Sequence, residues 1–222
     1  METITTPTSS PLDAVALRNQ FPILRPDTGG NRVIFLDSGA SSQKPESVLD
    51  AMDRYYRQHN ANVHRGVYKL AELATDAYDK AREKVARFLG VHDTGEIIFT
   101  RNTTEAINLV AYSWAMTNLG DGDLIVTTEM EHHSNLVPWQ LVTARTGASI
   151  EIIRVDDHGE LVLDDLDQHL ATGRVRLVAL NHVSNMLGTI NPVETVIEKA
   201  HAAGALVLVD GAQSAPHLAL NL

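Results

Sequence analysis

Residues able to do chemistry collect where the apolar runs of this sequence end. "EIIFT" leads into Arg101-Asn102-Thr103-Thr104-Glu105, "DLIVTTE" into Met130-Glu131-His132-His133, "VRLVALNH" into Val183-Ser184-Asn185, and "ALVLVD" into Asp210-Gly211-Ala212-Gln213. Asn102 with Glu105 three residues on spells a capping box, and the helix it opens offers unpaired N–H groups and a positive dipole end beside two hydroxyls. Such a terminus seats a phosphate, although a capped helix with nothing bound has the same sequence. A carboxylate at the end of "ALVLV" is partly buried and needs a cation or a hydrogen-bond donor. A protonated pyridine ring would serve, and so would the next turn or an arginine.

His132 and His133 are neighbours in an extended segment and so point to opposite sides. No HExxH pattern or third spaced ligand accompanies them, and a metal is not expected. One imidazole against an aromatic cofactor fits that geometry, as do two partly exposed loop histidines. Asn185 and Gln213 are neutral hydrogen-bonders whose ordinary use is to satisfy loop backbone. Only their convergence at one sheet edge marks them.

The elements that must bring these residues together follow from periodicity. Residues 1–11, rich in Thr, Ser and Pro, predict a flexible tail, and "LDAVALRNQFPIL" a short helix closed by Pro22. "RVIFLDSGASS" reads as a strand and turn, and Pro45 opens a helix through Tyr55 and Tyr56. Ala74, Ala77, Tyr78, Ala81, Val85 and Phe88 recur at helical spacing, with Gly90 as the stop. From "EIIFT" onward strand and helix alternate: "TEAINLVAYSWAMTN", "DLIVTTE", "NLVPWQLVTART", "SIEIIRV", "LDDLDQHLA", "VRLVALNH", "VETVIEKAHAA" and "ALVLVD". Near-continuous apolar strands in that alternation predict an α/β domain with a parallel sheet covered on both faces. In such sheets ligands bind beyond the carboxyl ends of the strands, where the residues above lie.

Composition narrows the function classes. The chain has 222 residues, 44% hydrophobic and 21% charged, and no apolar stretch near the ~20 residues that cross a bilayer. A formal charge of −10 argues against a nucleic-acid or anionic-membrane surface. With no cysteine there is no disulfide, thiolate metal site or thiol nucleophile among these residues. "METITTPTSSP" lacks the features of a secretory signal, so a cytoplasmic location is the expectation.

Six motifs in order, "FLDSGASSQKP", "NVHRGVYKLAELAT", "TRNTTEAINLVA", "EMEHHSNLVPWQ", "LNHVSNMLGTINP" and "VLVDGAQSAPH", resemble the SufS-type cysteine desulfurases. These are the class V branch of fold-type-I pyridoxal-phosphate (PLP) enzymes. The resemblance implies the three-layer PLP-transferase large domain, with a mostly parallel sheet that is incomplete at its C-terminal end. It sets residues 12–32 as an N-terminal segment and residues 33–222 as a partial PLP-binding large domain. It implies that Thr104, with Thr103 beside it, holds the cofactor phosphate, that His132 stacks on the ring and helps move protons, and that Asp210 pairs with the ring nitrogen. Asn185 and Gln213 match hydrogen-bonders around the ring's phenolic oxygen and the bound amino acid. His64 falls in a substrate-access region near a dimer interface.

The family chemistry takes L-cysteine (or L-selenocysteine) to L-alanine and leaves the sulfur as a persulfide on an enzyme cysteine, for iron–sulfur cluster assembly. A homodimer and a sulfur-acceptor protein are implied with it. Two covalent residues of the pattern are absent here. The cofactor-binding lysine follows a Ser-Gly-His tripeptide that does not occur, Lys44, Lys69, Lys80, Lys84 and Lys199 lie in other motifs or on helices, and no cysteine can accept sulfur. The family sheet is ordered 3-2-4-5-6-7-1, with "EIIFT" as its first strand beside a seventh not found here. The 222 residues alone are therefore expected to be inactive and unstable, with an open edge at "ALVLVD". A selenocysteine lyase, an epimerase-like class V enzyme or a non-catalytic truncated paralogue that binds a partner are the alternatives.

Overall fold

The structure, a computed structural model, describes residues 12–222. The expected flexible tail, residues 1–11, lies outside the described residues. By its internal contacts the chain divides into two compact units, Met1–Lys84 and Val85–Leu222, and each is taken by itself.

In the first unit α1 (Ala14–Asn19) begins where the Asp13 carboxylate accepts the amides of Val15 and Ala16 at 3.1 and 2.9 Å. A single 3-10 turn at Pro22–Leu24 follows, and α2 (Glu46–Gln58) starts after Pro45, both as the prolines predict. α3 (Lys69–Phe88) begins in this unit and carries the helical spacing read from the sequence. "RVIFL" is not a strand. Its backbone makes no ladder among the described residues, and Ile34 and Leu36 are exposed, because a strand exists only where another pairs with it.

The second unit holds the sheet. After the expected strand "EIIFT" comes a helical stretch of α4 (Thr103–Val110), a π turn at Ala111–Ala115 and α5 (Met116–Asn118). Then β1 (Leu124–Thr128), α6 (Val137–Thr146), β2 (Ser149–Ile153), α7 (Leu163–Leu170), β3 (Val175–Asn181), α8 (Val193–Ala202) and β4 (Leu206–Asp210) alternate as predicted. All pairings are parallel, and the order is β2-β1-β3-β4. This reproduces the 3-2-4-5 run of the expected family order. "EIIFT" itself forms no strand. Ile97 has an extended backbone, with φ −93° and ψ 116°, but none of the four strands pairs with it, and Ile98 is 68% exposed.

Burial follows the strand order. β1 and β3 occupy the centre and are buried almost throughout, whereas the edge strands β2 and β4 are exposed or half-buried up to a buried last residue. The pleat divides the core into two layers. Leu124, Val126, Val178 and Leu180 face α7 and α8 with Leu166 and Val196, while Ile125, Leu177 and Ala179 face α4 and α6 with Ile107 and Trp139. The result is the expected three-layer α/β arrangement. Gly147, at φ 82°, closes α6 in the left-handed conformation that lets β2 turn back onto β1. Asp165 of α7 holds the chain just past β2 through a two-pronged bond to Arg154, at 2.7 and 2.8 Å, and an Arg154 amide at 3.1 Å.

Candidate functional site

The carboxyl ends of β1, β3 and β4 lie side by side, and the polar residues at those ends meet there. Asn181 and Asp210 are register partners at the last positions of β3 and β4. The His182 amide donates to the Asp210 carbonyl at 3.0 Å and so continues the ladder one step past the strand. The Asp210 carboxylate is only 6% exposed, and one of its oxygens accepts the Ala212 amide at 3.0 Å. Among the described residues it makes no ion pair. A buried carboxylate with a single recorded donor has lone pairs to spare for a cationic partner.

α4 presents its N-terminus to the same place. Asn102 caps it, its side-chain oxygen accepting the Glu105 amide at 2.9 Å. The other half of the expected capping box is displaced by one residue: Glu105 takes the Arg101 amide at 2.6 Å instead of the Asn102 amide, and also the Arg101 guanidinium at 3.0 Å. The guanidinium holds the Glu105 carboxyl below its ordinary range. The amides of Thr103 and Thr104 occupy the first two helical positions, which no helix carbonyl can reach. Thr103, His182 and Asp210 all line one cleft of about 1040 Å³, whose apolar walls include Ile107, Val110 and Leu208. Thr104 is exposed at the mouth of the helix.

His132 caps the 3-10 turn His133–Asn135, and that turn packs against α4 and β3. Its Nδ1 accepts the Ser134 amide at 3.1 Å and meets the Ser134 hydroxyl at 2.8 Å. An atom that accepts an N–H carries no proton, so in the neutral ring the proton sits on Nε2. The imidazole is exposed, and its ring stands edge to face with His133, centroids 5.8 Å apart. Gln213 lies half-buried in the turn that follows Asp210. Asn185 is different. It sits exposed on the loop bracketed by the Ser184 to Thr189 backbone bond, and no contact with the other candidates is recorded. His64 belongs to the first unit, where it is the one described non-glycine residue with positive φ, 64°. Its amide donates to the Thr75 hydroxyl at 2.9 Å and its ring stacks edge-on to Tyr78.

Sequence reasoning passed over the residues that hold this end of the sheet together. Glu131 accepts from the Thr128 hydroxyl, the Asn135 amide group and the Asn181 backbone N–H, at 2.7, 2.7 and 2.9 Å. Asn135 in turn takes the indole N–H of the fully buried Trp139 at 3.1 Å. Asn191 donates to the Asn181 side-chain oxygen at 2.7 Å, and Asn181 to the Met130 carbonyl at 2.9 Å. Burial pushes the Glu131 carboxyl up, the three donors pull it back, and the Asp210 charge adds to the upward push. A signal did exist: Glu131, Asn135 and Trp139 recur every four residues, the spacing of one helix face.

The class-V aminotransferase family model matches residues 34–222. The chain belongs to that family. Among its relatives within the class-V aminotransferases, the "Probable cysteine desulfurase" of Halalkalibacterium halodurans is 50% identical over 211 residues, covering 95% of this chain and 52% of that protein. The solved apo structure of a cysteine desulfurase from Thermococcus onnurineus superposes with a TM-score of 0.85 at 42% identity, over 93% of this chain and 49% of that one. A more distant structure, a C-DES mutant with glycine covalently linked to its PLP cofactor, gives 0.72 at 25% identity over 92% and 51%. The chain thus spans about half the length of the curated relatives it matches.

Class-V membership and these structures imply pyridoxal phosphate as the cofactor. The residues present fit it. A phosphate suits the free amides and hydroxyls at the start of α4, and a protonated ring nitrogen suits the buried, singly bonded Asp210 carboxylate. No helix among the described residues is long and apolar enough to cross a membrane.

Proposed function

We propose that these residues form the cofactor-binding part of a PLP-dependent cysteine desulfurase, which takes L-cysteine to L-alanine and passes the sulfur to an enzyme cysteine as a persulfide. The observation that carries the proposal is the convergence of Thr103, at the N-terminus of α4, with the buried Asp210 on one cleft. When bound, PLP supplies an electron sink for the carbon adjacent to the amino group.

The chain's own residues then have distinct tasks. Thr103 and Thr104 hold the phosphate with backbone amides and hydroxyls, and the helix dipole adds to that attraction. Asp210 keeps a proton on the ring nitrogen, because loss of that proton would leave a buried carboxylate without a cation. His132 would stack on the ring, with its Nδ1 occupied by Ser134 and its Nε2 proton available for exchange with substrate groups. Gln213 and Asn185 orient the phenolic oxygen and the bound amino acid, and His64 lines the substrate's approach.

In this reading the lysine that holds the cofactor and the cysteine that takes the sulfur are supplied outside these residues. Lys199, the lysine of the second unit, is bound to Asp167 at 2.6 Å on α8, and the sequence has no cysteine. Residues 1–222 by themselves are therefore expected to turn over no cysteine. The intact enzyme is, in the same reading, a cytoplasmic homodimer that delivers sulfur to an acceptor protein for iron–sulfur clusters. The experiment is to supply the intact protein with PLP, L-cysteine and a thiol reductant, and to measure alanine and sulfide. Equal amounts of both are expected. Release of alanine from selenocysteine alone would move the assignment to a selenocysteine lyase, and no alanine from either substrate refutes it.

A further inference from the structure

We propose that Glu131 is a positioning residue of the cofactor site, fixing through its hydrogen bonds the short segment that presents His132. This rests on the cofactor reading above and goes beyond it, since Glu131 lies one residue from the imidazole and is itself turned into the protein.

The geometry is that of a clamp. Three donors converge on the Glu131 carboxylate: Thr128 at the end of β1, Asn181 at the end of β3, and Asn135 at the end of the 3-10 turn that precedes α6. Met130, the preceding residue, is held by its carbonyl to Asn181 and its sulfur to Asn191. Asn135, three residues after His132, is pinned to buried Trp139 and gives its amide to the His132 carbonyl at 2.8 Å. His132 is thereby bracketed on both sides by fixed residues, yet among the described residues its own side chain meets Ser134 and His133 alone. An exposed ring that must lie flat on a ligand has to inherit its orientation from its backbone.

The hydrogen-bond pattern also explains why a carboxylate stands there. All three partners donate, and a carboxylate is the side chain that only accepts. A glutamine at this position would aim its NH2 at the NH2 of Asn135. If Asn135 turned to receive it, Asn135 would then offer its own NH2 to the Trp139 N–H. One buried donor is left without a partner in either case. Burial and the neighbouring Asp210 charge both disfavour ionised Glu131, so the site keeps a carboxylate against an opposing electrostatic cost.

Glu131→Gln and the double variant Glu131→Gln/Asn135→Asp test this in the intact protein. In the double variant the glutamine NH2 meets an aspartate oxygen, and the other aspartate oxygen still accepts from Trp139, so the chain of bonds is restored with the charge moved. Two readouts are used: amide hydrogen exchange over residues 130–135 without PLP, and the visible circular dichroism and dissociation constant of added PLP. For E131Q, exchange about tenfold faster, a weakened dichroic band and about tenfold weaker PLP binding are expected, with the double variant near wild type. Should E131Q not purify folded, the comparison is between wild type and the double variant, where equal values are expected and a difference as large as tenfold overturns the proposal. Folded E131Q with wild-type exchange and dichroism overturns it as well. A wild-type protein that binds no PLP refutes the cofactor reading, while the exchange measurement still decides the clamp.

Discussion

Asp210→Asn is the most direct probe of the cofactor site, because it removes the charge at nearly constant shape and turns one acceptor oxygen into an NH2. The side chain is buried and its recorded side-chain bond is from the Ala212 amide at 3.0 Å, a bond that the asparagine oxygen can keep. The oxygen proposed to face the ring nitrogen becomes an NH2, which cannot accept the ring N–H, so the charge and that acceptor are lost together. A hydrogen bond to a charged group contributes about 1.5–3 kcal/mol, and the substitution is expected to cost about that much PLP affinity. That is about 10- to 150-fold in the dissociation constant. The protein without PLP should not suffer in parallel. Asp210 raises the Glu131 carboxyl, so removing its charge brings Glu131 down toward its ordinary range and relieves a like-charge repulsion. The assay is equilibrium titration of the intact protein with PLP followed by absorbance, alongside thermal melts with and without cofactor. D210N should melt no lower than wild type without PLP and gain less on adding it. Wild-type PLP affinity in a folded D210N would show that Asp210 does not face the ring nitrogen.

Other consequences can be checked separately. Thr103→Ala and Thr104→Ala should each weaken PLP binding by about three- to tenfold, by removing a hydroxyl while the helix amides remain, and the measurement is the same titration. Asp165 is held down to about 2 by Arg154, so it contributes stability above pH 3.8 that is lost as pH falls toward 2. Urea unfolding of Asp165→Asn as a function of pH should accordingly show a flatter decline between pH 4 and 2 than wild type. Residues 1–222 expressed alone should bind a hydrophobic dye and aggregate, because Ile98, Leu206 and Val209 are exposed and β4 has an unpaired edge. A soluble species with one sharp melting transition would contradict that.

The legible part of this molecule was the part with local causes. Alternating strands and helices, the parallel sheet, the proline start of α2 and the Asn102 cap all follow from neighbouring residues and a repeat of two or 3.6. "RVIFL" and "EIIFT" were misread for one shared reason: each has strand composition, but a strand is a relation between two segments, and among the described residues neither forms a strand of the sheet. The capping box was half right because Glu105 had a choice of amide donors, and an adjacent Arg101 side chain decided it. Glu131 escaped attention because an acid beside two histidines looks like part of an exposed polar loop. Its burial comes from residues 50 positions away in sequence, where Asn181 offers a backbone amide.

Burial also separates two kinds of work at the sheet's end. Asp210 is withdrawn from water and Glu131 is half-buried, and neither makes an ion pair among the described residues; His132, Thr104 and Asn185 are exposed. Withdrawn charges act through the field they set, which solvent screens little, whereas exposed groups act only on what comes to lie against them. The Asp210 charge disfavours ionisation of Glu131, and the cation of a ring nitrogen arriving at Asp210 would answer that charge. Among the described residues Glu131 has three donors and Asp210 one, so Asp210 is the acid left with capacity for that cation. In the proposed reading buried Asp210 governs ring protonation, exposed Thr104 adds to the hold on the phosphate, and exposed Asn185 acts on the substrate. Substitution of Asn185 should therefore change the Michaelis constant for cysteine in the intact enzyme more than the dissociation constant for PLP, the reverse of what Asp210 does.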